Sequence, residues 1–287
     1  MYRMRLTLIY LLFIYICPIY SLTYNNISNL IVIADVHGDI NRFRYILQNE
    51  NIIDSHNNWK AKENTIVIQL GDQIDPKDRP YSQNDKDHFD MIYYTDFLKK
   101  AAKKNKGDFV SLIGNHEHMN LKMIQKNKKL EEIIANRPLL VKINDNIFCH
   151  ASLKKHHTNI MTKYNMTFSD VNMLWYKYVK KMHLNALDKI MIEILILDEE
   201  SIIYNKIPDN KKHTYQVLDQ YSADYMFVGH LISKHIHVEN RIWYLDQLLS
   251  KAFNGNIYTY VTIIDNNIKI KALNYYLYIM NLFNYFL

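Results

Sequence analysis

Five short polar clusters in this sequence gather side chains that can bind metals and move protons. Asp35-Val36-His37-Gly38-Asp39 follows the apolar run 31–34. Gly71-Asp72-Gln73-Ile74-Asp75 follows 65–70, and Gly114-Asn115-His116-Glu117 follows 109–113. His150 closes the run 147–150, and Gly229-His230 closes 225–229. Asp35, His37, Asp72, Asn115, His150 and His230 together form an oxygen and nitrogen donor set without a thiolate, which suits Mn²⁺, Fe or Zn²⁺. Asp35 and His37 alternate at a strand end, so both are expected to face one side. Asp72 offers a carboxylate able to bridge two ions. A pair of ions about 3.5–4 Å apart lowers the pKa of a shared water and clamps the attacking and leaving oxygens of a phosphoester. His116, next to Asn115, is placed to protonate a leaving oxygen. Asp75, three residues past Asp72, is placed to orient that imidazole. Taken singly, each Asp or His is more often a turn or capping residue than a ligand. The ordered set of strand ends carries the reading, and Gly-Asn-His-Glu is its most specific member.

The elements that must position these clusters alternate along the chain. Helical spacing of apolar residues covers 40–48, 89–104 and 171–183. Runs 139–143 and 147–150 form a hairpin turning on Asn144-Asp145-Asn146, and strands are expected at 242–246, 257–265 and 268–273, the last two joined by Asn266-Asn267. Ligands of α/β sheets lie at the carboxyl ends of strands, so alternating strands and helices bring the clusters to one rim.

The chain has 287 residues and a net charge of +6. Its lysine clusters at 99–106 and 122–129 fall in polar helical stretches without interleaved aromatics, which argues against a nucleic-acid partner. Arg3 and Arg5, the apolar run 6–16 and the small residue Ser21 read as a cleaved secretory signal, placing the mature chain in the secretory pathway. Cys17 lies in that segment, which leaves Cys149 alone and excludes an internal disulfide in the mature chain. The tail 274–287 is rich in Tyr, Phe, Leu and Ile. It is too short to span a bilayer but offers a peripheral membrane contact.

The blocks DVHGD (35–39), GDQID (71–75), GNHE (114–117), HASL (150–153) and GH (229–230) resemble, in order, those of the PPP phosphatases of the calcineurin-like metallophosphoesterase superfamily. The run WYLDQLLSKAF (243–253) is similar to the bacterial-like branch, and with the N-terminal signal the chain is most like the Shewanella-like phosphatases. The resemblance implies a four-layer α/β/β/α sandwich of two mixed sheets over 22–273. It implies a first metal on Asp35, His37 and Asp72, and a second on Asp72, Asn115, His150 and His230. It also implies His116 as proton donor with Asp75 as its partner. Hydrolysis of a phosphomonoester by a metal-bound hydroxide follows, with a phosphoprotein or phosphopeptide substrate bearing phosphoserine, phosphothreonine or phosphotyrosine. The phosphate-holding arginines of the family are out of place. Asp75 is followed by Pro76-Lys77-Asp78-Arg79, and no arginine lies between Arg137 and Arg241. Arg79 and Lys206 are the expected substitutes, and a lysine offers a point charge where an arginine offers a fork. His118 and Glu117 tempt a metal reading, but Glu117 is read as a holder of backbone; His156-His157 is read as a surface loop, and His235 and His237 as a partly exposed strand face. Two other functions fit the same motifs: hydrolysis of nucleotides or dinucleoside polyphosphates, and a non-catalytic binding module that retains metals.

Overall fold

The computed structural model describes residues 23–74, 89–247, 249 and 257–274. The expected signal at 1–21, Asp75, Arg79 and the tail 275–287 lie outside the described residues. Strands form two mixed sheets. One runs β11 (Asn267–Asn274), β10 (Ile257–Ile264), β2 (Asn29–Ile33), β3 (Thr65–Gln69), β4 (Asp108–Ser111). The other runs β1 (Thr23–Tyr24), β5 (Leu140–Ile143), β6 (Asn146–Cys149), β7 (Tyr225–Val228), β9 (Ile242–Tyr244), β8 (His237–Glu239). The helices, in chain order, are α1 (Ile40–Asn49), α2 (Asp90–Lys104), α3 (Asn115–Met119), α4 (Leu121–Ile124), α5 (Lys128–Ala135), α6 (Lys155–Lys163), α7 (Phe168–Val179), α8 (Ala186–Ile192) and α9 (Lys211–Gln220).

Alternation along the strands sorts side chains into three cores, and hence four layers. In β2, Leu30 and Val32 face the other sheet while Ile31 and Ile33 face helices, and Ile66, Ile68 and Val67 of β3 divide the same way. Phe148 of β6 and Phe227 of β7 meet the first sheet from the other side, stacked 5.0 Å apart. Their neighbours Ile147, Cys149, Met226 and Val228 turn outward. The outer face of the first sheet is covered by Phe43, Ile46 and Leu47 of α1 and by Met91, Leu98 and Ala102 of α2. That of the second sheet is covered by Leu130 and Ile134 of α5, Leu174 and Trp175 of α7, and Val217 and Leu218 of α9. Strands buried on both faces read as unbroken apolar runs, which is how 31–34 and 65–70 read in the sequence. Asp39 caps α1, its carboxylate accepting from Arg42 N at 3.1 Å.

Three parallel strands stand in each sheet: β2, β3 and β4 in one, β6, β7 and β9 in the other. All the anticipated polar clusters therefore follow the carboxyl end of a parallel strand. The helix anticipated at 171–183 lies at Phe168–Val179, started one residue earlier by Thr167, whose hydroxyl accepts from Asp170 N. His156 and His157, expected on a surface loop, lie instead in α6, and His157 is fully buried. Its Nδ1 accepts from Lys154 N at 3.0 Å and its Nε2 donates to the Glu200 carbonyl at 2.9 Å, so two backbone groups draw the ring inward.

Candidate metal centre

Two groups of donors meet at Asp72. His37, Asp72 and His116 offer ligand atoms within 4.8 Å of one another, and so do Asp72, His150 and His230. Asn115 joins the second group, its Oδ1 2.9 Å from His150 Nε2. The Asp35 carboxylate lies across from them, accepting from His230 N at 3.2 Å with both oxygens. The loops, rather than the strands, aim these groups. β2 ends at Ile33, so Asp35 and His37 do not alternate on a strand as expected. Val36 N and His37 N both donate to the Asp72 carbonyl, at 3.1 and 3.0 Å. That loop-to-loop pairing turns His37 into the left-handed region, at φ 40°. Asp72 (52°) and His230 (51°) share that conformation. It is costly for a side-chain-bearing residue and concentrates at functional sites.

Glu117 ties the rim together as anticipated. Its carboxylate accepts from Asp72 N, Gln73 N and Gly114 N at 2.8–2.9 Å. Gly71 adopts φ 102°, and a Cβ there would sit 2.7 Å from His150 Nδ1. A Cβ on Gly114 would run into the Asp72 carboxylate and lie 2.8 Å from His150 Cε1. The centre thus takes up the space that side chains on these two residues would occupy.

The donor chemistry fits metal ions. His150 Nδ1 donates to the Leu70 carbonyl at 2.7 Å, and His37 Nδ1 to the Ile74 carbonyl at 3.1 Å. Fixing the tautomer through a backbone carbonyl is the usual support of a metal-binding imidazole. In the neutral ring, the Nε2 of His150 then presents a lone pair to Asn115 Oδ1 at 2.9 Å and to Asp72 Oδ1 at 3.4 Å. Lone pairs converging in a buried site require a cation between them. The electrostatics of the buried groups point the same way. Burial opposes ionisation of Asp72, yet the imidazoles of His150, His116 and His37 hold its carboxyl well below the usual range. Burial works against His150 too, but Asp72 raises it. Burial, then the neighbouring His150, pushes His230 down to about 4. Burial, then the charges of Asp246 and Asp72, raises Asp35 well above the usual carboxylate range.

Asp246, 2 % exposed just beyond β9, is the residue that sequence reasoning missed. It ends the apolar run 242–246, but without the glycine or histidine that marks the other clusters. Tyr204 was missed as well; its backbone is hydrogen-bonded with His230. Lys206 is exposed two residues further on. His116 stands closer to the donors than anticipated, its Nε2 3.8 Å from Asp72 Oδ2 and its ring edge-on to His37 at 4.9 Å. It is also the most open member of its group, with 26 % of its side chain exposed against 6 % for His37 and 3 % for Asp72. His237 lies at the exposed start of β8, stacked on Tyr244 at 4.7 Å.

The sequence profile of the calcineurin-like phosphoesterases matches residues 28–233, a span that contains every donor of the two groups. The chain belongs to the calcineurin-like phosphoesterase family. It is 24% identical over 245 residues to Shewanella-like protein phosphatase 1 of Plasmodium berghei (strain Anka), covering 72% of this chain and 63% of that protein. It is 30% identical over 94 residues to Shewanella-like protein phosphatase 2 of Arabidopsis thaliana, covering 33% of this chain and 22% of that one. The chain thus spans less than two thirds of the length of these curated relatives. Among solved structures, the cold-active protein-tyrosine phosphatase of a psychrophilic Shewanella species superposes with a TM-score of 0.69 at 17% identity, over 88% of this chain and 82% of that one. A protein serine/threonine phosphatase of Saccharomyces cerevisiae superposes with a TM-score of 0.57 at 15% identity, over 89% and 84%. Both show the family's fold.

Proposed function

We propose that this chain is a metal-dependent phosphomonoesterase acting on phosphoproteins. The observation that carries the reading is the pair of donor groups sharing Asp72, with two imidazoles held by backbone carbonyls. Asp35, His37 and Asp72 would hold one ion, and Asp72, Asn115, His150 and His230 the other. Bound there, two ions would acidify a water and neutralise charge on phosphoryl oxygens. The chain's own residues supply the rest. Glu117 and the Asp72 carbonyl keep three loops in register. His116, the most open member of its donor group, gives a proton from Nε2 to the leaving oxygen. A binding module would need no such donor. The phosphoprotein substrate is supported by the names of the relatives and neighbours, which include both tyrosine and serine/threonine phosphatases.

The test is the full chain reconstituted with Mn²⁺, assayed on phosphotyrosine and phosphoserine peptides and on diadenosine tetraphosphate. Release of phosphate from the peptides, abolished by a chelator and by Asp72→Asn, is the expected result. Turnover of the dinucleotide alone would make it a nucleotide hydrolase. Metal binding without turnover of either would make it a binding module. We also propose that residues 1–21 direct the chain into the secretory pathway, supported by Arg3, Arg5 and the apolar run after them. A reporter fused behind residue 21 and retained in the cytosol would refute that. Peripheral membrane contact through the apolar tail would appear as co-sedimentation with lipid vesicles, lost on truncation at residue 273.

A further inference from the structure

A phosphate must be held as well as hydrolysed, and the arginines among the described residues are committed to other partners. Arg42 pairs with Asp39 at 3.1 Å and donates to the Leu249 carbonyl at 2.6 Å. Arg44 lies over the Tyr94 ring. Arg137 is buried, donating to Gln73 Oε1 at 2.6 Å, Thr95 Oγ1 at 2.8 Å and the Ile92 carbonyl at 3.1 Å. Arg241 donates to the Asp224 carbonyl at 2.7 Å and to Asp219 at 2.9 Å.

The segment that passes the second donor group instead presents a phenol. Asn205 is fully buried, and its side chain donates to the Ser152 carbonyl at 2.8 Å and accepts from the Ser152 hydroxyl at 2.5 Å. That fixes the segment to the turn two residues beyond His150. Tyr204, the residue before it, is bonded through its backbone to His230. Its hydroxyl oxygen lies 2.7 Å from Nδ1 of His118, whose helix begins at Asn115. The two rings meet edge-on at 5.7 Å. The Tyr178 hydroxyl lies 3.5 Å from the other nitrogen of His118, Nε2.

We propose that the Tyr204 hydroxyl is a substrate-binding donor, giving its proton in a hydrogen bond to a phosphoryl oxygen, and that His118 positions it. With Tyr178 donating to Nε2, His118 Nδ1 carries a proton and donates to the Tyr204 oxygen. The phenolic proton is then directed away from His118 and is left for another acceptor. A phenol keeps its proton at neutral pH, so the hydroxyl is available as a donor. A phenol supplies one neutral bond where a guanidinium supplies two charged ones. Recognition at this centre accordingly relies more on the metals and less on fixed positive charge.

The inference rests on the phosphatase reading, and the experiment separates the two. The Mn²⁺-loaded full chain and the variants Y204F, H118F and K206A are compared by metal content, by calorimetric Kd for inorganic phosphate, and by KM and kcat for p-nitrophenyl phosphate. Loss of a hydrogen bond to a charged group weakens binding by about 10- to 100-fold. Y204F is expected to raise the phosphate Kd and KM by that factor with metal content unchanged. H118F is expected to cause a smaller rise, and K206A almost none. Wild-type affinity for phosphate in metal-replete Y204F overturns the proposal, as does a loss confined to K206A. Should Y204F fail to fold, H118F decides, because wild-type phosphate affinity without its imidazole removes the positioning role. A wild-type chain that loads metal but neither binds phosphate nor turns over substrate refutes the phosphatase reading and this inference with it.

Discussion

His116 is where chemistry and coordination lie closest together. Its backbone N–H donates to Asp72 Oδ1 at 2.9 Å, which fixes the base of the side chain against the shared carboxylate. Its ring nitrogen stands in the same donor group as His37. Exposure separates the two, since an imidazole that protonates a substrate must meet it while a ligand need not. For His116→Asn, kcat should therefore fall by about 10²- to 10⁴-fold, the range for removal of a general acid. Metal content by elemental analysis should stay at the wild-type value. Loss of an ion from this variant would make His116 a ligand. The candidate donors could be picked out in the sequence because each lies in a polar cluster that follows or closes an apolar run. Asp246 could not, because its run carries no glycine or histidine beside the Asp to mark it. Tyr204 was hidden for a different reason. It belongs to no strand end, and only the fold brings it beside His230 and His118.

At the scale of elements, the strands were easier to read than the helices on the second sheet. A strand buried on both faces shows as a compact apolar block, whereas α6 (Lys155–Lys163) exposes most of its length and buries only His157, Thr158 and Met161. The His156-His157 pair there suggests a loop or a metal site until the two backbone bonds to His157 are seen. Burial pushes the His157 imidazole down to about 3, with neighbouring His156 adding to the effect. The unfolded chain takes up a proton near pH 6.5, while the folded chain takes it up only near pH 3. The unfolded state thus binds more protons in that window, and stability falls as pH drops from about 6.5 toward 3. By pH 5 the loss from this one residue is about 2 kcal/mol. Urea unfolding of the chelator-treated chain at pH 7.5 and pH 5 should show His157→Gln losing less stability over that interval than wild type, by about that amount. Equal losses would mean that His157 is protonated in the fold at pH 5.

Across the whole molecule, the centre joins two sheets whose facing surfaces are largely apolar, with Tyr24 of β1 also donating to the Asp108 carboxylate of β4. Asp72 and His37 follow strands of the first sheet, and His150 and His230 follow strands of the second. The sequence order of the motifs implied convergence on one rim, and the four-layer architecture follows from strands that alternate between two cores. How the rim is held was not legible, because the bonds from Val36 and His37 to Asp72, and from Glu117 to three amides, join loops far apart in sequence. Without a cation, three carboxylates (Asp35, Asp72 and Asp246) are buried together among imidazoles, at a cost in folding free energy. Ions that bind only the folded chain would offset that cost, and the net stabilisation is RT ln(1 + [L]/Kd), about 2.7 kcal/mol at a hundredfold excess over Kd. For a chain of this size each kcal/mol is worth roughly 2–4 °C, so saturating Mn²⁺ should raise Tm by about 5–11 °C over the chelator-treated protein. Asp72→Asn removes the bridging charge. Its chelator-treated form should melt below the chelator-treated wild type, because the surrounding imidazoles lose the carboxylate that they hold ionised, and most of the Mn²⁺ shift should vanish. If Asp72→Asn kept the full shift in differential scanning calorimetry, the ions would be binding elsewhere, and the two sheets would not be joined through this centre.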